Sequence, residues 1–600
     1  MAVDAVVMCI SDSGYPVARR VADALGVPVH GREGRVAGAD IQFGNALDHA
    51  RDMFAAGRPV IGICASGILI RGIAPLLAHK RSEPPVLSVS DDGAVVVPLL
   101  GGHRGANRLA RQISEALGGT AAVTTAGDVA LGVALDEPPA GYRLANPEDA
   151  KPVMAALLAG GGATVDGDAP WLAELPKGDA VRISVSETPK FGDHAHLVFH
   201  PQRFALGVGC ARDCDPAELA SLVQYTLDEA RISSGAISSV NTIDLKADEP
   251  AVIELAKALD VPLRVFPAEV LEAETPRLPN PSDVVFAEVG AHGVSEAAAL
   301  AQAGAEAKLV VEKQKTANAT CAIARAPDPI VELTGRTRGR LSLVGIGPGQ
   351  ASWRTPEASR LVTEADVLIG YGLYIDLLGP LAKGQPRQDF PLGGEEDRCR
   401  AALELAGDGK NVAMICSGDA GIYAMGALVF ELLDRGPDEM GVSDAARRVE
   451  VVSTPGVSAL QGAAARAGAP LGHDFCAISL SDLLTPREDI VKRLHAAAEG
   501  DFVIAFYNPV SKRRRTLLSE ARDILLQHRP EDTPVMLASS LGRPEEHIRY
   551  RKLKDLDVDE VDMLTVVLVG SSHSKLAALG EGPRMYTPRG YARKIDGDLA

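Results

Sequence analysis

Four glycine- and proline-broken turns mark where this chain can bind something small. The β-branched run Leu341–Val344 breaks into Gly345, Ile346, Gly347, Pro348 and Gly349, and SGDAGIY (417–423), STPGVSAL (453–460) and FYNP (506–509) follow in order. Glycine lets backbone approach a ligand closely and proline fixes φ, so each break predicts a strand end that opens on a crevice. The spacing is not that of a dinucleotide fold. G-x-G-x-x-G is absent here, and Pro348 removes an N–H that a phosphate would use. No G-x-x-x-x-G-K-[ST] occurs either, which disfavours a nucleoside triphosphate. Downstream, Lys512, Arg513, Arg514 and Arg515 form the densest local cationic cluster, a match for carboxylates. Cys210 and Cys214 are the one close cysteine pair, with no third ligand nearby, so no metal site is expected.

The elements that carry these turns alternate strand-like with helical runs throughout, which predicts a multidomain α/β protein. AVVMCIS, a helix at 15–25, VIGICA (60–65) and a helix after Gly105 form a first unit. AGGGATVDGDAP (159–170) has the composition of a linker. FALGVGC (204–210), a helix at 216–230 and the paired strands of KLVVEKQKTANATCAIAR form another unit. The Pro- and Arg-rich stretch 325–340 then leads into the turns described above. The expected divisions are 1–135, 136–200 as a middle segment, 201–326, and 340–580 as two α/β lobes.

Six hundred residues fit about four domains of ~150 residues. A net charge of −18 argues against nucleic acid as a partner but not against an anionic small molecule, which meets a local field. No apolar run reaches the ~18 residues of a membrane span, and the start MAVDAVVMCI lacks a basic n-region, so no membrane association or signal peptide is expected. Eight scattered cysteines without C-x-x-C pairs suit reduced thiols and a cytoplasmic location.

Together GIGPG, ADVLIGYGLYIDLL (365–378), SGDAGIYAM, TPGVSALQ, HDFCAISLSDLLTPRE (473–488) and FYNPVSKRRR resemble the tetrapyrrole methylase family, and within it the precorrin-3B C-17 methyltransferases. The resemblance covers about 240 residues, and six motifs agree in order and spacing. It implies S-adenosylmethionine as cofactor, a tetrapyrrole as substrate and a homodimer formed through this segment. Gly345, Gly347, Pro348 and Gly349 match the first cofactor loop. Gly418, Asp419, Ala420 and Tyr423 match the second, while Val457, Ser458, Ala459, Tyr507, Asn508 and Thr565 complete the cofactor positions. The family's ring contraction needs proton handling, for which His473, Asp474 and Asp482 are candidates, and the cluster Lys512 to Arg515 is the candidate for substrate carboxylates.

The first half resembles a second family, the cobalt-precorrin-5A hydrolases of the same pathway. GICASGILIRGIAPLL (62–77), GGHRGAN (101–107) and VTTAGD (123–128) carry the likeness to its N-terminal part, and LGVGCARDCDPAEL and KQKTANATCAIAR to its C-terminal domain. Lactone opening would need an activated water; His103 is the candidate base and Arg104 or Asn107 the candidate carboxylate or carbonyl binder, with Asp128, His292, Glu296 and Lys313 also in motif-like positions. The run after Gly102-His103 departs from that family's Gly-Gly-Ala-Asn, carrying Arg104 and a single glycine. The alternatives are a methyltransferase for the cobalt-containing analogue with an active hydrolase half, or a first half that carries the tetrapyrrole without reacting on it.

Overall fold

The computed structural model describes residues 5–77, 83–124, 131–382, 385–511 and 515–595. Its first unit is a seven-stranded sheet. Edge to edge it runs Ile41–Phe43, Val29–Arg32, Val6–Cys9, Val60–Ile63, Val86–Val89, Val95–Leu100 and Thr120–Ala121. The central strands are fully buried apolar runs because helices cover both faces, the usual state of parallel strands. Asn45 caps helix Ala46–Ala55, its Oδ1 accepting from Leu47 N at 2.9 Å, and Gly26 closes helix Tyr15–Leu25 at φ 68°. Strand order reverses between Val6–Cys9 and Val60–Ile63, and open α/β sheets bind ligands at the carboxyl side of such a point.

The stretch 159–170, expected to be a linker, is folded. It holds the edge strand Ala163–Asp166 of a four-stranded sheet whose core includes Leu135, Val153, Leu172 and Phe199. Its glycines serve close packing instead: a Cβ on Gly161 would lie 2.7 Å from the Ala156 carbonyl oxygen. A five-stranded sheet follows, with Phe204–Cys210 at its centre between Ile237–Ile243 and Ala319–Arg325.

The last 260 residues form two lobes. In the first, five parallel strands run edge to edge as Arg387–Phe390, Val367–Tyr371, Asn411–Cys416, Arg340–Gly345 and Glu450–Thr454, so all their carboxyl ends share one edge. In the second, Phe475–Ser479 and Val503–Tyr507 are parallel, and Thr565–Val569, Pro534–Ser539 and His547–Lys552 continue antiparallel. Helix Ala459–Ala467 joins the lobes and buries Leu460, Ala463 and Ala467 against the second sheet.

The first unit and the first lobe share a core. Met53, Phe54 and Ala56 pack in one apolar cluster with Ala358, Leu361 and Val362 of helix Pro356–Thr363. Thr363 Oγ1 donates to the Ala56 carbonyl at 3.0 Å, and the buried Arg354 lies 3.6 Å from Asp52.

Candidate functional site

Three first-lobe loops interlock at the carboxyl edge of the parallel sheet. Gly347 N donates to the Gly418 carbonyl at 3.1 Å and Gly418 N to the Gly347 carbonyl at 2.9 Å, a single antiparallel bridge between the first and second glycine turns. Both residues need positive φ, 74° and 72°, which glycine alone adopts without strain. The third turn closes on them. A Cβ at Gly345 would stand 2.8 Å from the Gly418 carbonyl oxygen and 3.0 Å from Gly456 N; one at Gly456 would press into the same carbonyl, 2.9 Å from its carbon. Glycine at these positions is therefore a packing requirement of the cradle.

Asp419 staples the cradle. Its Oδ1 accepts from Gly421 N at 2.8 Å and its Oδ2 from Gly456 N at 3.0 Å, so the carboxylate holds the second turn to the third. Ala420 is buried beneath it. Ser458 starts helix Ala459–Ala467 with a reciprocal capping box to Gln461, and Val457 and Ala459 flank it, half-buried.

The second lobe meets this edge with its own strand ends. Tyr507 closes strand Val503–Tyr507, its phenol oxygen accepting from Leu460 N at 2.9 Å, and its ring lies 5.1 Å from that of Tyr423. Tyr423 stands at φ 51°, donates to the Ala477 carbonyl at 2.9 Å and so ties the second turn to the second lobe. Burial pushes its phenol pKa up. Asn508, at φ 48°, donates to Ser479 Oγ at 3.2 Å. Thr565 is buried, its hydroxyl engaged by Asp562 Oδ1 at 2.6 Å and Ser539 Oγ at 2.7 Å, so what it can offer a ligand is backbone. Pro348 and Gly349 abut the loop after Pro534–Ser539: Arg543 Nε donates to the Pro348 carbonyl at 3.2 Å, and Gly349 faces the Gly542 carbonyl.

The candidate proton-handling residues separate. Asp482 follows strand Phe475–Ser479 on the side of Tyr507 and Asn508. His473 and Asp474 precede that strand, about 16 Å away at ~3.3 Å per residue over five residues, and their side chains are 56% and 77% exposed at the opposite end of the sheet. Strand direction removes them from the cluster. Of the cationic run, Lys512, Arg513 and Arg514 lie outside the described residues. Arg515 is taken up by Asp559 Oδ1 at 2.8 Å and the Val558 carbonyl at 3.0 Å, which corrects its reading as a carboxylate binder.

In the first half, the backbone of His103 lies in the short turn Gly102–Arg104 ahead of helix Ala106–Leu117, but its side chain is outside the described structure, as is Asp128. Glu296 is buried and accepts from Asn280 Nδ2 and Lys313 N, both at 2.9 Å; His292 Nδ1 pairs with Glu272 at 2.9 Å. Both are committed to holding their own domain together. At the order reversal of the first sheet, Ser13 Oγ donates to Asp91 Oδ2 at 2.8 Å beside Ser11, a group that no sequence motif singled out. Among the described residues no three His, Cys, Asp or Glu side chains are grouped to hold a metal, and no helix is long and apolar enough to cross a membrane.

A five-stranded parallel lobe, a mixed second lobe and an interlocked glycine cradle between them define a two-lobed ligand-binding α/β unit. Residues 340–557 match the tetrapyrrole (corrin/porphyrin) methylases, 48–128 the N-terminal part of cobalamin synthesis G, and 204–324 its C-terminus. The chain is 45% identical over 255 residues to a precorrin-3B C(17)-methyltransferase of Sinorhizobium sp, across 42% of this chain and 98% of that enzyme. It is 44% identical over 251 residues to a probable cobalt-factor III C(17)-methyltransferase of Salmonella typhimurium, across 42% of this chain and 99% of that one. The solved methyltransferase CobJ aligns with 42% of this chain and 100% of its own at 38% identity and TM-score 0.39. The chain belongs to the tetrapyrrole methylase family and is a methyltransferase fused behind both cobalamin synthesis G domains.

Proposed function

We propose that the two-lobed unit transfers a methyl group from S-adenosylmethionine to C-17 of precorrin-3B, with contraction of the ring, in cobalamin biosynthesis. The observation that carries this reading is the cradle of Gly345, Gly347, Gly418 and Gly456, set against the Tyr423–Tyr507 pair at the lobe boundary. The residues fit the cofactor: backbone walls free of side chains suit a flat adenosine and a thioether chain, and the aromatic pair gives one apolar flank. S-adenosylmethionine supplies the electrophilic methyl carbon when bound. The ring carbon is already electron-rich, so the protein's task is to align two reactants and exclude water rather than to supply a strong base.

Each residue contributes to that alignment. The Gly347–Gly418 bridge and the Asp419 staple fix the width of the slot. Tyr423 and Tyr507 each bond across the lobe boundary and hold the two sheets in register. Asp482, which follows Phe475–Ser479 on the same side of the second sheet, is our candidate for exchanging a proton with the substrate during contraction.

Anaerobic incubation of the full chain with methyl-labelled S-adenosylmethionine and either precorrin-3B or cobalt-factor III, followed by mass analysis, tests the reading. Label in the metal-free product supports it, and label only in the cobalt product favours the alternative substrate. The two cobalamin synthesis G matches support a second reading, in which the first half opens the lactone of a later cobalt intermediate; consumption of that lactone by the full chain is its test. Eight free thiols support a reducing, cytoplasmic setting, and a homodimer through the methylase unit remains part of the proposal.

A further inference from the structure

Just past the first glycine turn the two lobes touch backbone to backbone. A Cβ on Gly349 would lie 2.8 Å from the Gly542 carbonyl oxygen, and one on Gly542 would lie 2.8 Å from Gln350 N. Gly542 belongs to the loop after strand Pro534–Ser539 of the second sheet and stands at φ 69°. Two bare backbones bury little surface where they meet, so side chains beside them must hold the loops together.

Arg466 is placed to do so. It lies in the last turn of helix Ala459–Ala467, whose N-cap Ser458 belongs to the third turn of the cradle. Its Nε donates to Glu546 Oε1 at 2.6 Å and its Nη2 to Glu546 Oε2 at 3.3 Å, while Nη2 also reaches Gln350 Oε1 at 3.1 Å. Glu546 Oε2 in turn accepts from Gly542 N at 2.7 Å. One guanidinium thus joins the residue after the first glycine turn to the carboxylate that pins the second-lobe loop. Its Cζ lies over the Trp353 ring, 4.6 Å from the centroid, and the Trp353 carbonyl oxygen is 3.1 Å from where a Cβ on Gly347 would stand. Burial pushes the Glu546 carboxyl up, yet the bonds from Arg466 and Gly542 N hold it below its usual range. An isolated exposed ion pair contributes little. This one combines a two-point fork, a third acceptor and an aromatic face.

We propose that Arg466 is a positioning residue for cofactor binding: through Glu546 and Gln350 it holds the first glycine turn against the second-lobe loop and so keeps the slot closed to the width the cofactor requires. The proposal rests on the methyl-transfer reading. Arg466 acts through these residues and not on the reacting atoms. When the binding-competent form is only a fraction of the protein, apparent affinity falls by that fraction, so loss of the clasp appears as weaker cofactor binding.

Calorimetry of the full chain with S-adenosylhomocysteine tests it. Arg466→Met keeps an apolar stem and removes the fork, and should weaken binding about ten-fold. Arg466→Lys restores the charge, but an ammonium cannot span Glu546 and Gln350 as the fork does, so it should recover only part of that loss. Glu546→Gln breaks the same link from the other side and decides the matter should Arg466→Met fail to fold. The double variant should bind no more weakly than Arg466→Met alone, because both changes remove one interaction. Trp353 gives a reading without ligand. The chain's other tryptophan, Trp171, packs on Phe199 against the core of the four-stranded sheet, so the added acrylamide quenching expected in Arg466→Met belongs to Trp353. The proposal is overturned if Arg466→Met and Glu546→Gln bind within about two-fold of wild type, if quenching is unchanged, or if only the binding stoichiometry falls while affinity holds. Wild-type protein that does not bind S-adenosylhomocysteine overturns the methyl-transfer reading itself, a different result from intact wild-type binding with indifferent variants.

Discussion

Gly456→Ala is the sharpest perturbation of the cradle. The backbone at Gly456 does not need a positive φ, so the substitution adds a methyl group and nothing else. That methyl would press into the Gly418 carbonyl, 2.9 Å from its carbon and 3.0 Å from the Gly345 carbon. All three obstacles are backbone, so no side chain can swing away and the turns must part. Overpacking of this kind costs about 1–3 kcal/mol, and loss of one of the two Gly347–Gly418 hydrogen bonds adds about 1 kcal/mol. A ligand that requires the closed turns then binds about 2–4 kcal/mol more weakly, between roughly thirty-fold and several hundred-fold. Gly462→Ala is the matched control. It lies in the first turn of helix Ala459–Ala467, its methyl would meet side chains only, the Trp353 ring edge at 3.2 Å and Leu541 and Pro348 at 3.6 Å, and it gains about 1 kcal/mol of helix propensity. Calorimetry with S-adenosylhomocysteine should show the large loss for Gly456→Ala and a change under about three-fold for Gly462→Ala. Equal affinities in the two variants would refute the argument that the interlocked turns set the slot.

Tyr507→Phe removes the acceptor for Leu460 N at a half-buried helix start and should cost about 1 kcal/mol in chemical denaturation. The buried pair His30 and His49, with Nδ1 and Nε2 2.9 Å apart, has pKa values held down to about 2 and about 4 by burial. Unfolded histidines titrate near 6.5, so below that pH the unfolded chain takes up protons the folded one refuses. Stability is therefore full above pH ~6.5 and declines as pH falls. At pH 5 the two together should cost about 4 kcal/mol, and His49→Gln should remove about half of that pH dependence in melts compared at pH 7 and 5. Asp52→Ala leaves Arg354 buried without its carboxylate at the contact between the first unit and the methylase lobe. It should destabilise the chain by about 1–3 kcal/mol, and unchanged melting would show the contact to be neutral.

The glycine turns were legible because the requirement for glycine is local: positive φ at Gly347 and Gly418 and the absence of a Cβ at Gly345 leave a direct mark on composition. Elements were legible for the same reason, and the helices read at 15–25 and 216–230 are Tyr15–Leu25 and Pro216–Ala230. What composition hides is direction and partnership. His473 and Asp474 stand in a motif with Asp482, yet one five-residue strand puts them at opposite edges of a sheet. Arg515 and Arg398 are both arginines among charged neighbours, and only the fold shows that one pairs with a carboxylate while the other, among the described residues, does not. The glycine-rich 159–170 looked like a linker because close packing and flexibility select the same residue. The core shared by Met53 and Leu361 joins residues some 300 positions apart, a contact no local pattern encodes.

Methyl transfer by the two-lobed unit is tested by following label from methyl-labelled S-adenosylmethionine into precorrin-3B with the full chain under anaerobic conditions. The expected product carries one additional labelled methyl group and a contracted ring, with Gly456→Ala strongly impaired. Absence of label from both precorrin-3B and cobalt-factor III, with the protein folded and the substrates intact, would contradict it.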